Sequence, residues 1–338
     1  MNIWALIDRQ AGHNNQTLGV CEALYNLFGH DFSTKQIRHT WVAKLPNFLL
    51  GAGGLSFDHS ILDGVEAPDI IVATGRRNAP IARHIKRRFG GNPKIVQMMN
   101  PECGYDEFDL LVVPWHDRFS GEGANVKGTN VLRTVGAPNR LSDAKLTEEA
   151  EKWRDKLPDL PRPWIALLVG ADEGAKFPLL AGVDELAAGV SEMARKTGGS
   201  VFFLNSPRTG DRMTAMFEER LPPKRFQYIW CKGGENPYLA MMALVDAIVV
   251  TGDSMSMCSE AAGSFAAEVY VYAPEGMRSP KYQRLFDSLY NSGCAKPFGS
   301  AWLKGELRSR LSVAGEVAAA IEALILGEYT PQQGDYFQ

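Results

Sequence analysis

The sequence predicts an α/β protein of two Rossmann-like, doubly wound domains facing a cleft. Three observations carry that expectation. Short, continuously apolar runs recur along the chain, and helical patterns alternate with them, as in buried parallel strands linked by helices. The alternation breaks once, at Leu157–Pro163 (LPDLPRP), whose three prolines fit neither a helix interior nor a central strand. The length, 338 residues, suits about two domains of roughly 150 residues each.

The elements follow in order. Ile3–Ile7 is the first strand, and a loop leads from it to a helix over about 17–27. Ile70–Ala73 precedes a helix over about 79–89. Ile95–Met98 and Leu110–Val113 are further apolar strands, and Asn130–Val135 is a candidate for one more. A charged helix over about 143–156 closes the first half. The domains are therefore expected at 1–156 and 157–311, with a helix over about 312–326 packing back on the first. In the second half Trp164–Val169 precedes a helix over about 182–196. Val201–Leu204, Gln227–Trp230, Ala247–Val250 and Glu268–Tyr272 supply the remaining strands. Right-handed crossovers wind such units into sheets whose ligands sit at the C-terminal ends of the strands. The polar stretch Tyr329–Gln338 is expected to be poorly ordered.

Composition excludes several classes. Hydrophobic residues at 45% and charged residues at 22% are ordinary for a globular chain and argue against disorder. Thirty-six basic and 39 acidic residues leave a net charge of −3, so no nucleic-acid partner is expected. No apolar run approaches the roughly 18 residues that span a bilayer. The start, MNIWALIDRQ, reads as a strand and not as a signal segment. Five cysteines never fall in CxxC spacing, and six histidines form neither HExxH nor HxH. A cytoplasmic protein with no metal and no cofactor is expected.

The sharpest motif is Thr251–Gly263 (TGDSMSMCSEAAG), which follows an apolar strand and opens a helix. Asp253 or Ser254 can cap that helix, and the following amides and the helix dipole suit a diphosphate. Glu260, within two turns, can accept hydrogen bonds from two ribose hydroxyls. A plain capped helix with a solvated Glu260 fits the same residues. Upstream, Glu235–Tyr238 (ENPY) offers Asn236 as a cap and Pro237 as a first helical residue. Arg208, with Ser206 and Thr209, follows Val201–Leu204, and its planar fork suits phosphate oxygens. In the first half Asp8–Gln16 (DRQAGHNNQ) places Gly12, His13, Asn14, Asn15 and Gln16 at the edge of the expected cleft. Gly75, Arg76 and Arg77 follow the strand Ile70–Ala73, where they could meet an anionic acceptor or the donor phosphates. His116 and Asp117 follow Leu110–Val113. His13, His116 and Asp117 are the candidates for a general base, with Asp117 and His13 favoured and the choice between them open. The helix after Arg77 carries Arg83, His84, Lys86, Arg87 and Arg88, a face suited either to solvent or to anionic lipid headgroups.

The strand, SxE helix start and Gly of the first motif resemble the donor site of GT-B glycosyltransferases, such as the peptidoglycan N-acetylglucosaminyl transferase family. That resemblance implies that Ser254, Met255 and Ser256 line the phosphates and Glu260 takes the ribose. It makes Trp230, Cys231 and Lys232 candidates for a wall against the base. Across residues 8–260 the chain resembles more closely the bacterial and plant mitochondrial fission ELM-type family, regarded as GT-B glycosyltransferases. The residues that carry this are Gly12–Gln16, Thr74–Arg77 with Ala79–Pro80, and Trp115–Asp117. Gly136–Pro138, Ser206–Thr209, Asp253–Met257 and Ser259–Glu260 complete the set. The resemblance implies a GT-B-like architecture and brings no established catalytic residue with it.

The expected function is a metal-independent glycosyltransferase, consistent with the lack of a DxD triplet. The donor is a nucleoside-diphosphate sugar, UDP being the expected nucleotide, and the acceptor a cell-envelope or lipid-linked saccharide at the inner membrane face. A nucleotide-sugar epimerase on the same fold is the alternative enzyme. A non-catalytic scaffold or membrane-remodelling protein is the alternative of another class.

Overall fold

The structure, a computed structural model, describes residues 1–119, 130–301 and 308–330. Of the polar stretch expected to be poorly ordered, only Tyr329 and Thr330 are among them. The chain divides into two compact units, Met1–Arg140 with Ser312–Gln338, and Leu141–Leu311.

The first unit opens with β1 (Ile3–Ile7) and α1 (Ala11–Phe28), then β2 (Phe32–Gln36) and a short α2 (Asn47–Leu50). β3 (Ile70–Thr74), α3 (Ala79–Arg88), β4 (Lys94–Met98), β5 (Leu110–Pro114) and β6 (Val131–Thr134) follow. All six strands are parallel, in the order β2-β1-β3-β4-β5-β6. The buried run of β3 explains why it was legible: a strand covered on both faces has to be apolar throughout. The sequence reading passed over β2 (FSTKQ), an edge strand that pairs only with β1 and needs no continuous apolar run.

The helix α1 starts at Ala11, well before the expected Thr17. The polar run that reads as a loop is tied back to the strand instead. The Asn14 amide accepts from Asp8 N and donates to Asp8 O, both at 2.8 Å, so the connection shrinks to three residues. Further on, α1 buries Thr17, Val20, Cys21 and Leu24.

The second unit begins with α4 (Asp143–Trp153) and β7 (Trp164–Val169), then α5 (Val183–Thr197), β8 (Ser200–Asn205), α6 (Asp211–Arg220) and β9 (Phe226–Tyr228). α7 (Tyr238–Leu244), β10 (Ala247–Thr251), α8 (Met255–Gly263), β11 (Glu268–Tyr272), α9 (Pro280–Asn291) and a two-residue β12 (Lys296–Pro297) complete it. Its parallel sheet runs β12-β11-β10-β7-β8-β9. The last helix, α10 (Val313–Leu326), packs along α1 in the first unit, where Lys94 Nζ donates to Leu324 O at 2.6 Å.

The boundary differs from the expected 156/157. Helix α4 packs on α7 of the second unit, and the proline-rich Leu157–Pro163 lies inside that unit. Those prolines stop α4, but the segment is pinned: Ser200 Oγ donates to Pro161 O at 2.8 Å and Trp164 Nε1 to Leu160 O at 2.9 Å. Interrupted helicity marked the place where regular structure ends, not where contacts end.

In both sheets the strand order reverses once. The chain passes from β1 to β2 on one side and to β3 on the other, and in the second unit the flanking pair is β7 and β10. Ligands of such sheets bind outside the carboxyl ends of the strands at that switch.

Candidate functional sites

At the β1/β3 switch of the first unit lies a cavity of about 390 Å³. Gln10, His13, Arg76, Arg77, Met99, Asn100, Glu102, Asp117 and Arg118 line it. Its best-defined chemistry is a His–Asp pair. His13, in the first turn of α1, sets Nδ1 3.1 Å from Asp8 Oδ2, and Asp8, the residue after β1, is almost fully buried. The Asp8 carboxylate also accepts from Gln10 N at 2.6 Å and from Asn78 Nδ2 at 3.2 Å. Burial works against its ionisation, but the hydrogen bonds from His13 and Gln10 N outweigh that and hold the carboxyl below its ordinary range. An ionised Asp8 is acceptor-only, so His13 carries its proton on Nδ1 and leaves Nε2 as the basic nitrogen. Behind the pair, His39 meets Asn78 Oδ1 at 3.0 Å, and burial pushes it below its ordinary value, towards the neutral form.

Gly75 explains part of the Thr74–Arg77 motif. Its φ is +85°, and a Cβ there would stand 2.4 Å from the His13 ring. Only glycine lets the end of β3 approach the imidazole so closely. After β4, Met99 and Glu102 have left-handed φ values of 67° and 69°, and both line the cavity. Such strained non-glycine residues gather at functional sites. The sequence reading missed Gln10, Met99, Asn100, Glu102 and Arg118. Their one signal was position, since all follow the carboxyl end of a strand.

The other first-unit candidates divide. Asp117, Arg76 and Arg77 line the cavity, and Arg76 donates to Leu45 O at 3.2 Å and stands 3.7 Å from Glu102. His116 is buried and does not line it, so of the three base candidates it is the one the fold sets aside. Asn14 is spent on β1, Gln16 lies against Met99 Sδ at 4.0 Å, and Asn15 is half-buried outside the lining. Nothing lies within 4 Å of a Cβ built at Gly12, so packing does not demand that glycine. The basic face of α3 is also largely neutralised. Arg83 is buried against Glu107, Arg87 meets Glu107 at 3.0 Å, and Lys86 meets Asp109 at 2.7 Å. A helix so paired offers lipid headgroups little net charge.

At the β7/β10 switch of the second unit, Asp253 is buried just before α8. Its carboxylate accepts from Ala171 N and Thr251 Oγ1, both at 2.7 Å, and meets Arg208 at 3.3 Å. Burial raises its pKa above the ordinary value. Asp253 thus does not cap the helix; its carboxylate pairs with Arg208. Glu173 flanks the same guanidinium at 3.5 Å and accepts from the Tyr282 hydroxyl. The cap is Ser254, whose Oγ accepts from Met257 N at 3.4 Å, with Met255 and Ser256 opening the first turn.

Ser206 and Thr209 close their own turn. Thr209 Oγ1 donates to Gly170 O at 2.8 Å and accepts from Ser206 N at 2.9 Å, while Ser206 Oγ accepts from Arg208 N at 3.2 Å. These bonds shape the loop that carries Arg208. Asn236 lies one residue before the expected register: Pro237 is the cap position of α7, and Asn236 Oδ1 accepts from Tyr238 N at 3.0 Å. Lys232 pairs with Glu218 at 2.8 Å. Glu260 accepts from the Tyr238 hydroxyl at 2.6 Å, so its carboxylate is held by a partner and not left to solvent. Trp230, half exposed after β9, and exposed Cys231 stand in the turn proposed for the base.

A Cβ at Gly170 would stand 2.2 Å from Asp253 Oδ2. Gly170→Ala is therefore expected to turn the Asp253 carboxylate out of its place and release Arg208. About 1–3 kcal/mol of stability should go with it in a denaturant titration.

The pattern of the family described as "Mitochondrial fission ELM1" matches residues 11–325. The chain belongs to that family. An uncharacterised protein of Rickettsia prowazekii is 25% identical to this ELM1-family chain over 332 residues, covering 89% of it and 91% of the relative. The mitochondrial fission protein ELM1 of Arabidopsis thaliana is 29% identical over 226 residues, covering 61% of this chain and 52% of that longer one. Among solved structures, the UDP-GlcNAc 2-epimerase of Neisseria meningitidis bound to UDP-GlcNAc superposes with a TM-score of 0.53 at 14% identity, covering 97% of this chain and 100% of that one. Phytolacca americana apo UGT2 gives 0.50 at 11% identity, covering 97% and 91%. At such identities the likeness shows the fold: two parallel α/β units of the kind that GT-B glycosyltransferases and these epimerases share. Among the described residues no helix is long and apolar enough to cross a membrane.

Proposed function

We propose that this ELM1-family chain is a glycosyltransferase of GT-B type that takes its sugar from a nucleoside diphosphate, UDP first among them. The observation that carries the reading is the His13–Asp8 pair at the sheet switch of the first unit. In this role His13 Nε2 takes the proton of an acceptor hydroxyl as it attacks the anomeric carbon, and Asp8 stabilises the imidazolium that forms. Asp117, on the same cavity, is the second candidate base. Arg76 and Arg77 suit an acceptor with phosphate or carboxylate groups, such as a lipid-linked or cell-envelope saccharide at the cytoplasmic face of the inner membrane.

In the second unit the amides at the start of α8 and Arg208 would stabilise the departing diphosphate, whose charge grows as the glycosidic bond breaks. No metal ion is assigned to that step. Glu260 would accept from the ribose hydroxyls, with the Tyr238 hydroxyl fixing its carboxylate, and Trp230 would cover the base. The neighbour solved with UDP-GlcNAc supports a nucleotide sugar as the ligand. A nucleotide-sugar epimerase is the second reading, favoured by His13, Glu102 and Asp117 lining one cavity, since epimerisation needs acid and base groups around one ring.

The test is thermal stability with UDP, GDP, CMP and their sugar conjugates. A ligand present at a hundred times its Kd adds about 2.7 kcal/mol, so the cognate nucleotide should raise the melting temperature by several degrees. Glu260→Ala should remove that rise. If no nucleotide stabilises the protein, both enzymatic readings lose their support. A shift that survives Glu260→Ala places the donor elsewhere. Formation of the sugar's epimer without any acceptor present would favour the epimerase.

A further inference from the structure

The first unit holds an inside-out segment between β2 and β3. Asn47 is fully buried, its amide donating to Arg76 O at 2.6 Å and Pro101 O at 2.8 Å, while its neighbours Phe48 and Leu49 are 73% and 63% exposed. Trp41 and Leu55, on the flanking turns, are 76% and 78% exposed. The normal sorting puts apolar side chains inside and amides outside. Here the buried Asn47 amide anchors the segment, while the apolar side chains beside it stay outward. Thr40 Oγ1 donates to Leu55 O at 2.6 Å, His84 Nδ1 meets Ala52 O at 3.2 Å, and the His59 and His84 rings lie 5.0 Å apart. A clustered set of large apolar tips on an anchored segment marks an interaction surface.

The charge pattern selects the occupant. From Phe32 to Phe57 the chain has no Asp or Glu, but it has Lys35, Arg38 and Lys44. Lys44 is exposed on the same turn as Trp41, and exposed Arg88 ends α3, the helix on which the segment packs. Aromatic and leucine tips beside Lys44 and Arg88, on a stretch whose sequence carries no acidic residue from Phe32 to Phe57, match the interface of an anionic bilayer, where apolar side chains enter the acyl region and Lys and Arg meet headgroups.

We infer that Trp41, Phe48, Leu49 and Leu55 insert into an anionic lipid surface, with Lys44 at the headgroups. The surface adjoins the first-unit cavity, because Arg76, which lines that cavity, donates to Leu45 O within the segment. Delivery of a lipid-linked acceptor to that cavity rests on the proposed transferase function; membrane attachment itself does not.

The test uses the full chain and sedimentation with vesicles of phosphatidylcholine alone or mixed with phosphatidylglycerol. The wild type should pellet with the mixed vesicles and much less with phosphatidylcholine alone, and salt should weaken binding. Each apolar side chain withdrawn from water accounts for about a tenfold change in partition, so Trp41→Ser/Phe48→Ser/Leu55→Ser should abolish pelleting. Lys44→Glu should weaken it. Because these side chains are exposed, the triple variant should melt as the wild type does and keep any nucleotide-induced shift, which separates this inference from the donor reading. A wild type that stays in the supernatant, or a triple variant that pellets equally well, overturns it. So does a wild type that is dimeric by light scattering, binds no vesicles and becomes monomeric in the triple variant, since a second copy then covers the surface.

Discussion

Asp8→Ala should destabilise the protein by about 3 kcal/mol and abolish the chemistry of His13. The substitution leaves Gln10 N without its acceptor and Asn78 Nδ2 with only Thr74 O, and each lost bond at such a site costs about 1–3 kcal/mol. The informative companion is Asp8→Asn, which keeps the shape. Its carboxamide can accept from Gln10 N but presents NH₂ where His13 found a carboxylate. His13 then keeps Nδ1 as its acceptor, carries the proton on Nε2, and is no longer a base at the cavity. Once a substrate pair is found, Asp8→Asn and His13→Ala should each lower kcat by about 10²–10⁴ while the Asn variant stays folded. If Asp8→Asn retains full turnover, Asp117 becomes the base.

The same pair sets an acid limit. The folded carboxyl of Asp8 lies below its unfolded value of 3.8, so its contribution is complete above that pH and fades as pH falls through the lower, folded value. The stability gap between wild type and Asp8→Asn should be constant near neutrality and shrink below about pH 4. A gap that widens on acidification contradicts the assignment.

Gly19→Ala is expected to lower the melting temperature by about 6–12 °C, from about 3 kcal/mol of overpacking. Helix propensity alone predicts the opposite, since alanine is better than glycine in a helix interior by about 1 kcal/mol. Geometry decides the sign. A Cβ on Gly19 would stand 2.2 Å from Asn139 O and 2.5 Å from its carbonyl carbon, and neither main-chain atom can swing aside. Helix α1 would have to move off the 136–140 segment, carrying His13 away from Gly75. A variant that melts at or above the wild-type temperature would show that this segment yields.

Much of the fold was legible because burial writes itself into composition. Strands such as β3, β5 and β10, covered on both faces, have to be apolar throughout, and they stood out as runs. The edge strands β2 and β12 lack that constraint and were passed over. The candidate sites were found through topology: polar residues just after a buried strand lie at a sheet's carboxyl edge, and His13, Arg76, Arg77, Asp117 and Arg208 all came from that rule. The rule could not tell which of those side chains turn back into the protein. His116, Ser206, Thr209 and Asp253 obey it equally, yet His116 is buried outside the cavity lining and the other three are bonded within the loops around Arg208.

The sequence by itself determined the alternation of strand and helix, the presence of two parallel sheets, and the loops that end at each carboxyl edge. Those properties depend on local periodicity and on whether a run is buried. Only the tertiary structure decided that α4 belongs with the second unit, that Asp8 and not a neighbour orients His13, and that the cations of α3 are neutralised by Glu107 and Asp109. It alone showed Asn47 turned inward with Phe48 and Leu49 turned out. Apart from Asp8 and His13, which are five residues apart, these depend on pairings between residues distant along the chain, and no local pattern records which partner a side chain meets.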